Sequence, residues 1–194
     1  MRKVFQFFGL MFFLTASGCA SKIERVGFDA KKASIANTEL GIAYLAQGKY
    51  NVSMIKFKKA LGYDDENIKA NHYIADLYRR LEQNDLAEQH FHKAMELDGN
   101  DSSIKNNYAI FLCGTKSVDK GLELLNKVLL DPLYADKGQV YENMGLCVEK
   151  QGNIQYTEKY FKTALKFNSN LPAALLGMAQ ISFDKIILQL HQII

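Results

Sequence analysis

Residues 68–101 read IKANHYIADLYRRLEQNDLAEQHFHKAMELDGND, and this stretch decides the fold. From Ile68 to Tyr78 apolar residues recur at helical spacing, a polar break follows at Glu82-Gln83-Asn84-Asp85, and a second helical pattern runs from Leu86 to Leu97. The break is too short for anything but a tight reversal, so the stretch predicts two antiparallel helices, closed by Asp98-Gly99-Asn100-Asp101. Small residues at Ala75, Ala87 and Ala94 alternate with large ones at Ile74, Tyr78 and Phe91. The small residues let the two helices approach closely, and the large ones fill the space that remains.

The same unit can be laid in register across most of the chain. A first copy runs from Ser34 to Glu66 or Asn67, with Leu40-Gly41 and Tyr44 in its first helix, Gly48 at the turn, and Ser53, Phe57 and Ala60 in its second. A third begins near Ser102, with Tyr108-Ala109, Leu112, Gly121, Leu125 and Val128, and its closing connection through Asp131-Pro132-Leu133-Tyr134 is two residues longer. A fourth runs from Gly138 to Leu171 with Met144-Gly145, Val148, Gly152, Thr157, Phe161 and Ala164. A fifth starts at Pro172 with Leu175, Met178 and Ala179, but after Phe183 neither the turn glycine nor the second-helix pattern follows. The repeated unit resembles the tetratricopeptide repeat. That resemblance implies an all-α, right-handed superhelical solenoid of helical hairpins, four full repeats plus a partial fifth.

Composition agrees with a helical, core-forming chain. Of 194 residues 48% are hydrophobic and two are proline, which favours helices over a turn-rich β fold. The formal charge is +3, but Arg2 and Lys3 lie in a leader expected to be removed, leaving 22 basic against 21 acidic residues. Such a balance carries no electrostatic footprint for nucleic acid.

Residues 1–18 have the organisation of a signal peptide: Arg2-Lys3, an apolar run from Val4 to Leu14, then Thr15-Ala16-Ser17-Gly18. The run is too short to span a membrane as a helix. Ala16-Ser17-Gly18-Cys19 resembles a bacterial lipobox, with Ala16 where that motif favours leucine. The resemblance implies acylation of Cys19, and Ala20-Ser21 in place of an aspartate after the cysteine implies sorting to the outer membrane. The other reading of this leader is an ordinary secretory signal with a cysteine nearby. Residues 19–33 then form a polar anchor and tether that turns helical near its end, and residues 34–194 the repeat domain.

Little in the chain suggests catalysis. It has no Gly-rich phosphate loop, no paired-cysteine metal spacing and no His-Glu-x-x-His. His90 and His92 stand two apart on a predicted helix and face different ways, while His72 and His191 stand alone. The expectation is a binding protein without catalytic residues, metal, cofactor or small-molecule substrate.

In arrays of this kind the stacked first helices curve into a groove that takes an extended or helical segment of a partner. The resemblance places groove residues at the second, fifth, ninth, twelfth and thirteenth places of each first helix. Here these are Ile35, Thr38, Ile42, Leu45 and Ala46 in the first repeat and Lys69, His72, Asp76, Arg79 and Arg80 in the second. The third repeat gives Ser103, Asn106, Ile110, Cys113 and Gly114, and the fourth Gln139, Glu142, Leu146, Glu149 and Lys150. Ile35, Ile42 and Leu45 share one helix face, so the N-terminal segment or a partner is expected to cover them.

Lipobox, short tether and repeats carrying Asn107-Tyr108-Ala109-Ile110-Phe111-Leu112-Cys113 and Asn143-Met144-Gly145-Leu146-Cys147 together resemble the type IV pilus biogenesis lipoproteins of the PilF/PilW family. That likeness implies a pilotin, a lipid-anchored factor that supports the outer-membrane secretin PilQ and the stability of the pilus. An adaptor for cell-wall enzymes or outer-membrane protein assembly could use the same anchor and groove. Cys113 and Cys147 lie thirty-four residues apart on neighbouring first helices, so they either form a disulfide or pack as two small hydrophobes. The last helix carries Ile186, Ile187, Leu188, Leu190, Ile193 and Ile194 around much of its circumference, as expected of an incomplete array or a surface that packs on another chain.

Overall fold

The computed structural model describes residues 29–115 and 117–191; the leader, Cys19 and most of the tether lie outside them, as do Ile193 and Ile194. The described residues form nine helices: α1 (Ala30–Ala46), α2 (Tyr50–Tyr63), α3 (Ile68–Arg80), α4 (Asn84–Leu97), α5 (Ser102–Gly114), α6 (Val118–Leu130), α7 (Lys137–Glu149), α8 (Ile154–Phe167) and α9 (Pro172–His191). They pair as α1/α2, α3/α4, α5/α6 and α7/α8, and each first helix also lies beside the next along α1, α3, α5, α7 and α9. This is a helical-hairpin solenoid.

Local chemistry sets the helix starts. Asp29 accepts the Lys32 amide, Asn67 the Ala70 amide, Asp101 the amides of Ser103 and Ile104, and Asn153 the Tyr156 amide, satisfying donors the first turn would leave orphaned. The first of these caps places the helix start at Ala30, inside the tether and four residues before Ser34. Pro172 opens α9, where a missing amide hydrogen costs nothing. The break in the second repeat is shorter than its polarity suggests, because Asn84 and Asp85 belong to the first turn of α4. The reversal is Leu81-Glu82-Gln83, and Glu82 adopts the left-handed φ of +58° that Gly48 (+70°) and Gly152 (+73°) supply in the first and fourth repeats. A side chain in that region costs about 1 kcal/mol or more relative to glycine.

Hydrophobic packing runs as three consecutive clusters. The first centres on Phe57, Ile74, Tyr78, Phe91 and Phe111, the second on Leu125, Val128, Val140 and Met144, the third on Phe161, Leu171 and Ile181. Phe57, Phe91 and Phe161 are fully buried. Two of these rings depend on glycine neighbours: a Cβ built on Gly41 would lie 2.5 Å from Phe57 Cε1, and Cβ atoms on Gly145 or Gly177 would collide with opposite edges of Phe161. The inter-repeat connections 64–67, 98–101 and 168–171 are each four residues, against six for 131–136. The last helix is continuous to His191, long and apolar enough to cross a membrane by length and composition alone, and its residues from Ser182 onward are all exposed.

Candidate partner-binding groove

Side-by-side packing of the first helices places one stripe of each on the concave side. On the first three, Ile42, Leu45 and Ala46 of α1, Tyr73, Asp76, Arg79 and Arg80 of α3, and Asn107 and Ile110 of α5 enclose an open cleft of about 410 Å³. Its walls are aliphatic and aromatic, and its charge is concentrated on α3. Arg79 donates from Nε (2.9 Å) and Nη2 (2.6 Å) to Asp76 Oδ1, and Arg80 donates from Nε to Asp76 Oδ2 at 2.8 Å. Burial alone would raise the pKa of Asp76, but the two guanidinium groups outweigh it and hold the carboxyl below its ordinary range. Two guanidinium groups against one carboxylate leave a single net positive charge at the cleft, with the Arg80 side chain 43% exposed.

Six of the ten groove residues read from the first two repeats therefore meet: Ile42, Leu45, Ala46, Asp76, Arg79 and Arg80. Leu45 is deeper than its place in the repeat suggested, at 6% exposure and part of the first core cluster. Ile35 is exposed but does not line this cleft. Lys69 also stands outside it, paired with Glu39 at 2.7 Å across the α1–α3 surface, where both partners are about half exposed and the pair contributes under about 1 kcal/mol.

Thr38 and His72 do not face the groove. Both hold the fifth place of their helices, and that place is a buried seam between repeats. Thr38 accepts from Asn67 Nδ2 at 3.2 Å, His72 Nε2 pairs with Asn107 Nδ2 at 2.9 Å, Asn106 accepts from Asn143 Nδ2 at 3.0 Å, and Glu142 accepts the Ala174 amide at 2.8 Å. Each fifth-place residue is 6% exposed or less, and each is satisfied by the repeat that follows. Neighbouring first helices come close enough at this place to shut out solvent, so the side chain is polar for its partner rather than for water. Tyr73 and Asn107, both at the sixth place, line the cleft without having been expected there. Tyr73 stacks on Phe57 and against His72, which fixes its ring at the cleft wall.

Cys113 of α5 and Cys147 of α7 are joined as a disulfide, with their Cα atoms 5.2 Å apart. Gly121 of α6 leaves room for it, since a Cβ there would lie 2.5 Å from Cys113 Sγ and 2.9 Å from the Ala109 carbonyl oxygen. Among the described residues, no three of His, Cys, Asp and Glu converge where a metal ion could sit.

Comparison with known proteins supports the repeat fold. A tetratricopeptide-repeat family model matches residues 68–101. The chain is 27% identical over 147 residues to the type IV pilus assembly protein PilF of Pseudomonas aeruginosa, covering 76% of this chain and 58% of PilF. It is 27% identical over 161 residues to an uncharacterized protein of Haemophilus influenzae, covering 79% of this chain and 89% of that protein. The solved structure of P. aeruginosa PilF superposes with a TM-score of 0.70 over 80% of this chain and 70% of PilF. That of PilW, a widely conserved type IV pilus biogenesis factor, gives 0.71 at 29% identity, over 77% of this chain and 69% of PilW. In sequence the chain thus spans just under three-fifths of PilF. The chain is thus a helical-hairpin solenoid with a tetratricopeptide repeat at residues 68–101, similar in sequence to PilF and in structure to PilF and PilW.

Proposed function

We propose that this chain is a non-enzymatic assembly factor of the type IV pilus, held by a lipid on Cys19 at the periplasmic face of the outer membrane and acting as a pilotin for a PilQ-like secretin. The observation that carries this reading is the α1–α3–α5 cleft, in which an aliphatic floor and a guanidinium rim face one open concave surface, in a chain similar to PilF and PilW. Such a cleft suits a segment with apolar side chains and a nearby carboxylate. The apolar contacts supply affinity, while Arg79 and Arg80 supply orientation and encounter rate. The lipid supplies place: each buried acyl methylene contributes about 0.8 kcal/mol, so several chains on one cysteine anchor the body stably where a single chain would not. Tethering then raises the local concentration of the groove near membrane-bound secretin.

The test is the amount of heat-resistant secretin multimer in cells. Ile42 is only partly buried, so Ile42→Asp perturbs the cleft with less damage to the core than any change at Leu45. Ile42→Asp is expected to abolish the multimer, Arg79→Glu to weaken it, and Cys19→Ala to release a folded protein from the outer membrane. Wild-type multimer with a folded, membrane-bound Ile42→Asp protein would remove the groove from secretin assembly, and continued outer-membrane fractionation of Cys19→Ala would remove the anchor.

A further inference from the structure

A second pocket opens on the same concave side one repeat further along. Ile110 and Cys113 of α5, Asn143, Leu146 and Cys147 of α7, and Lys150 at the end of α7 line it, and its volume is about 140 Å³. Pockets for whole small molecules run to roughly 300–1,000 Å³, whereas about 150 Å³ accommodates a benzene-sized group. The volume therefore fits one side chain of a larger ligand. Its base is the Cys113–Cys147 disulfide, both of whose residues are under 5% exposed. Ile110 belongs to both pockets, so the apolar surface is continuous from the α1–α3–α5 cleft to this one. The charge at the two mouths has one sign in excess: Arg79, Arg80 and Lys150 against Asp76. Lys150 forms no ion pair among the described residues, so its charge is available to a ligand.

We propose that this disulfide-floored pocket is a second subsite of the groove. It takes one leucine- or phenylalanine-sized side chain of an acidic peptide segment whose neighbouring residues occupy the α1–α3–α5 cleft. The proposal rests on reading the concave face as the partner groove, and it adds the length and charge of the segment. Packed helices lie about 8–10 Å apart, so about one and a half spacings, or roughly 12–15 Å, separate the two pockets. An extended chain rising about 3.3 Å per residue covers that in four or five residues. The bound segment is therefore extended, carries two apolar anchors four or five positions apart, and places its acidic residues near Arg79, Arg80 and Lys150.

Fluorescein-labelled synthetic dodecapeptides titrated against the full chain in detergent test this without the secretin. Their two leucines are set two, four, five or eight positions apart, with glutamate or lysine flanks. With glutamate flanks and a spacing of four or five, the second leucine should tighten binding about ten- to hundred-fold over a leucine-to-serine control. Leu146→Asp should erase that increment but leave the one-leucine peptide bound, whereas Ile42→Asp should weaken both peptides. Lys150→Glu, at an exposed position that disturbs no packing, should weaken the acidic peptide and strengthen the lysine-flanked one. A second leucine that adds nothing at any spacing, or an increment that survives both Leu146→Asp and Lys150→Glu, overturns the subsite while leaving the first cleft intact. Absence of binding even by the one-leucine acidic peptide instead overturns the groove itself, and the subsite with it.

Discussion

Phe161→Ala should detach the end of the solenoid while leaving its beginning folded. The ring is fully buried between two backbones that carry no side chain at the contact, Gly145 of α7 and Gly177 of α9. Removing a buried phenylalanine costs about 3–5 kcal/mol, with the spread set by how far neighbours can collapse into the space. Two glycines offer nothing that could swing inward, so the cost should fall near the upper end. Phe57 makes a contrast, since beyond Gly41 it faces the Tyr73 ring, with centroids 6.5 Å apart, and that ring can shift toward a cavity. Because α9, among the described helices, packs only on α7 and α8, and solenoid stability is summed over nearest neighbours, the loss should stay local. At about 1.4 kcal/mol per factor of ten, about 4 kcal/mol raises the opening equilibrium of α8 and α9 nearly a thousandfold. Hydrogen exchange followed by mass spectrometry should show that acceleration in α8 and α9, with α1–α4 unchanged within a few-fold. Equal acceleration across all helices, or a loss below about 1 kcal/mol in urea, would refute the slot argument.

Three further outcomes follow from the same structure. Unreduced, denatured protein should show no free thiol at Cys113 or Cys147. Reduction should cost about 3–4 kcal/mol on loop-entropy grounds, and calorimetry of Gly121→Ala should show an added loss of about 1–3 kcal/mol as a methyl group crowds Cys113. Burial lowers the pKa values of His72 and His90 below 6.5, with Asp101 and Asp76 partly opposing this at His72. The unfolded chain therefore takes up protons first, and stability should fall as pH drops through 6.5 toward the folded values; His72→Gln should flatten part of that slope in thermal melts, whereas an unchanged slope would clear His72. Glu158 accepts from Lys162 and from Lys185 of α9, which hold its carboxyl down to about 2, so Lys185→Ala should raise its NMR titration midpoint toward 4.5.

The periodic part of the structure was legible because spacing alone encodes it. Ala75, Ala87, Ala94 and Phe91 are all fully buried, as the alternation of small and large residues in the quoted stretch requires. Hairpin ends were less legible: Asn84 and Asp85 are polar because the start of α4 is exposed, and exposure at a helix start looks like a turn in sequence. The concave stripe was found, but depth within it was not. Thr38 and His72 occupy groove places by count, yet how far each is buried depends on the next repeat and on which side chain there reaches back. Paired changes at places five and six of successive helices, His72 to Asn107 and Asn106 to Asn143, would have been the signal, and one sequence does not display them. Tyr73 was missed for the converse reason, since an aromatic at the sixth place reads as core until its ring is seen half-buried at the cleft wall.

The six-residue connection at 131–136 carries Leu133 at 90% exposure, the barest large apolar side chain among the described residues, and the Cys113–Cys147 bond lies across it. The chain is therefore a closed ring of covalent bonds around this exposed loop. A protease that cuts after Leu133 opens the ring without dividing the molecule: the two fragments remain one particle, and the concave track from Ile42 to Lys150 stays unbroken. Denaturant alone would not part them, whereas denaturant with a thiol reductant would. A nick at that loop would consequently be silent in a native preparation and in an unreduced denaturing gel, and visible as two bands after reduction.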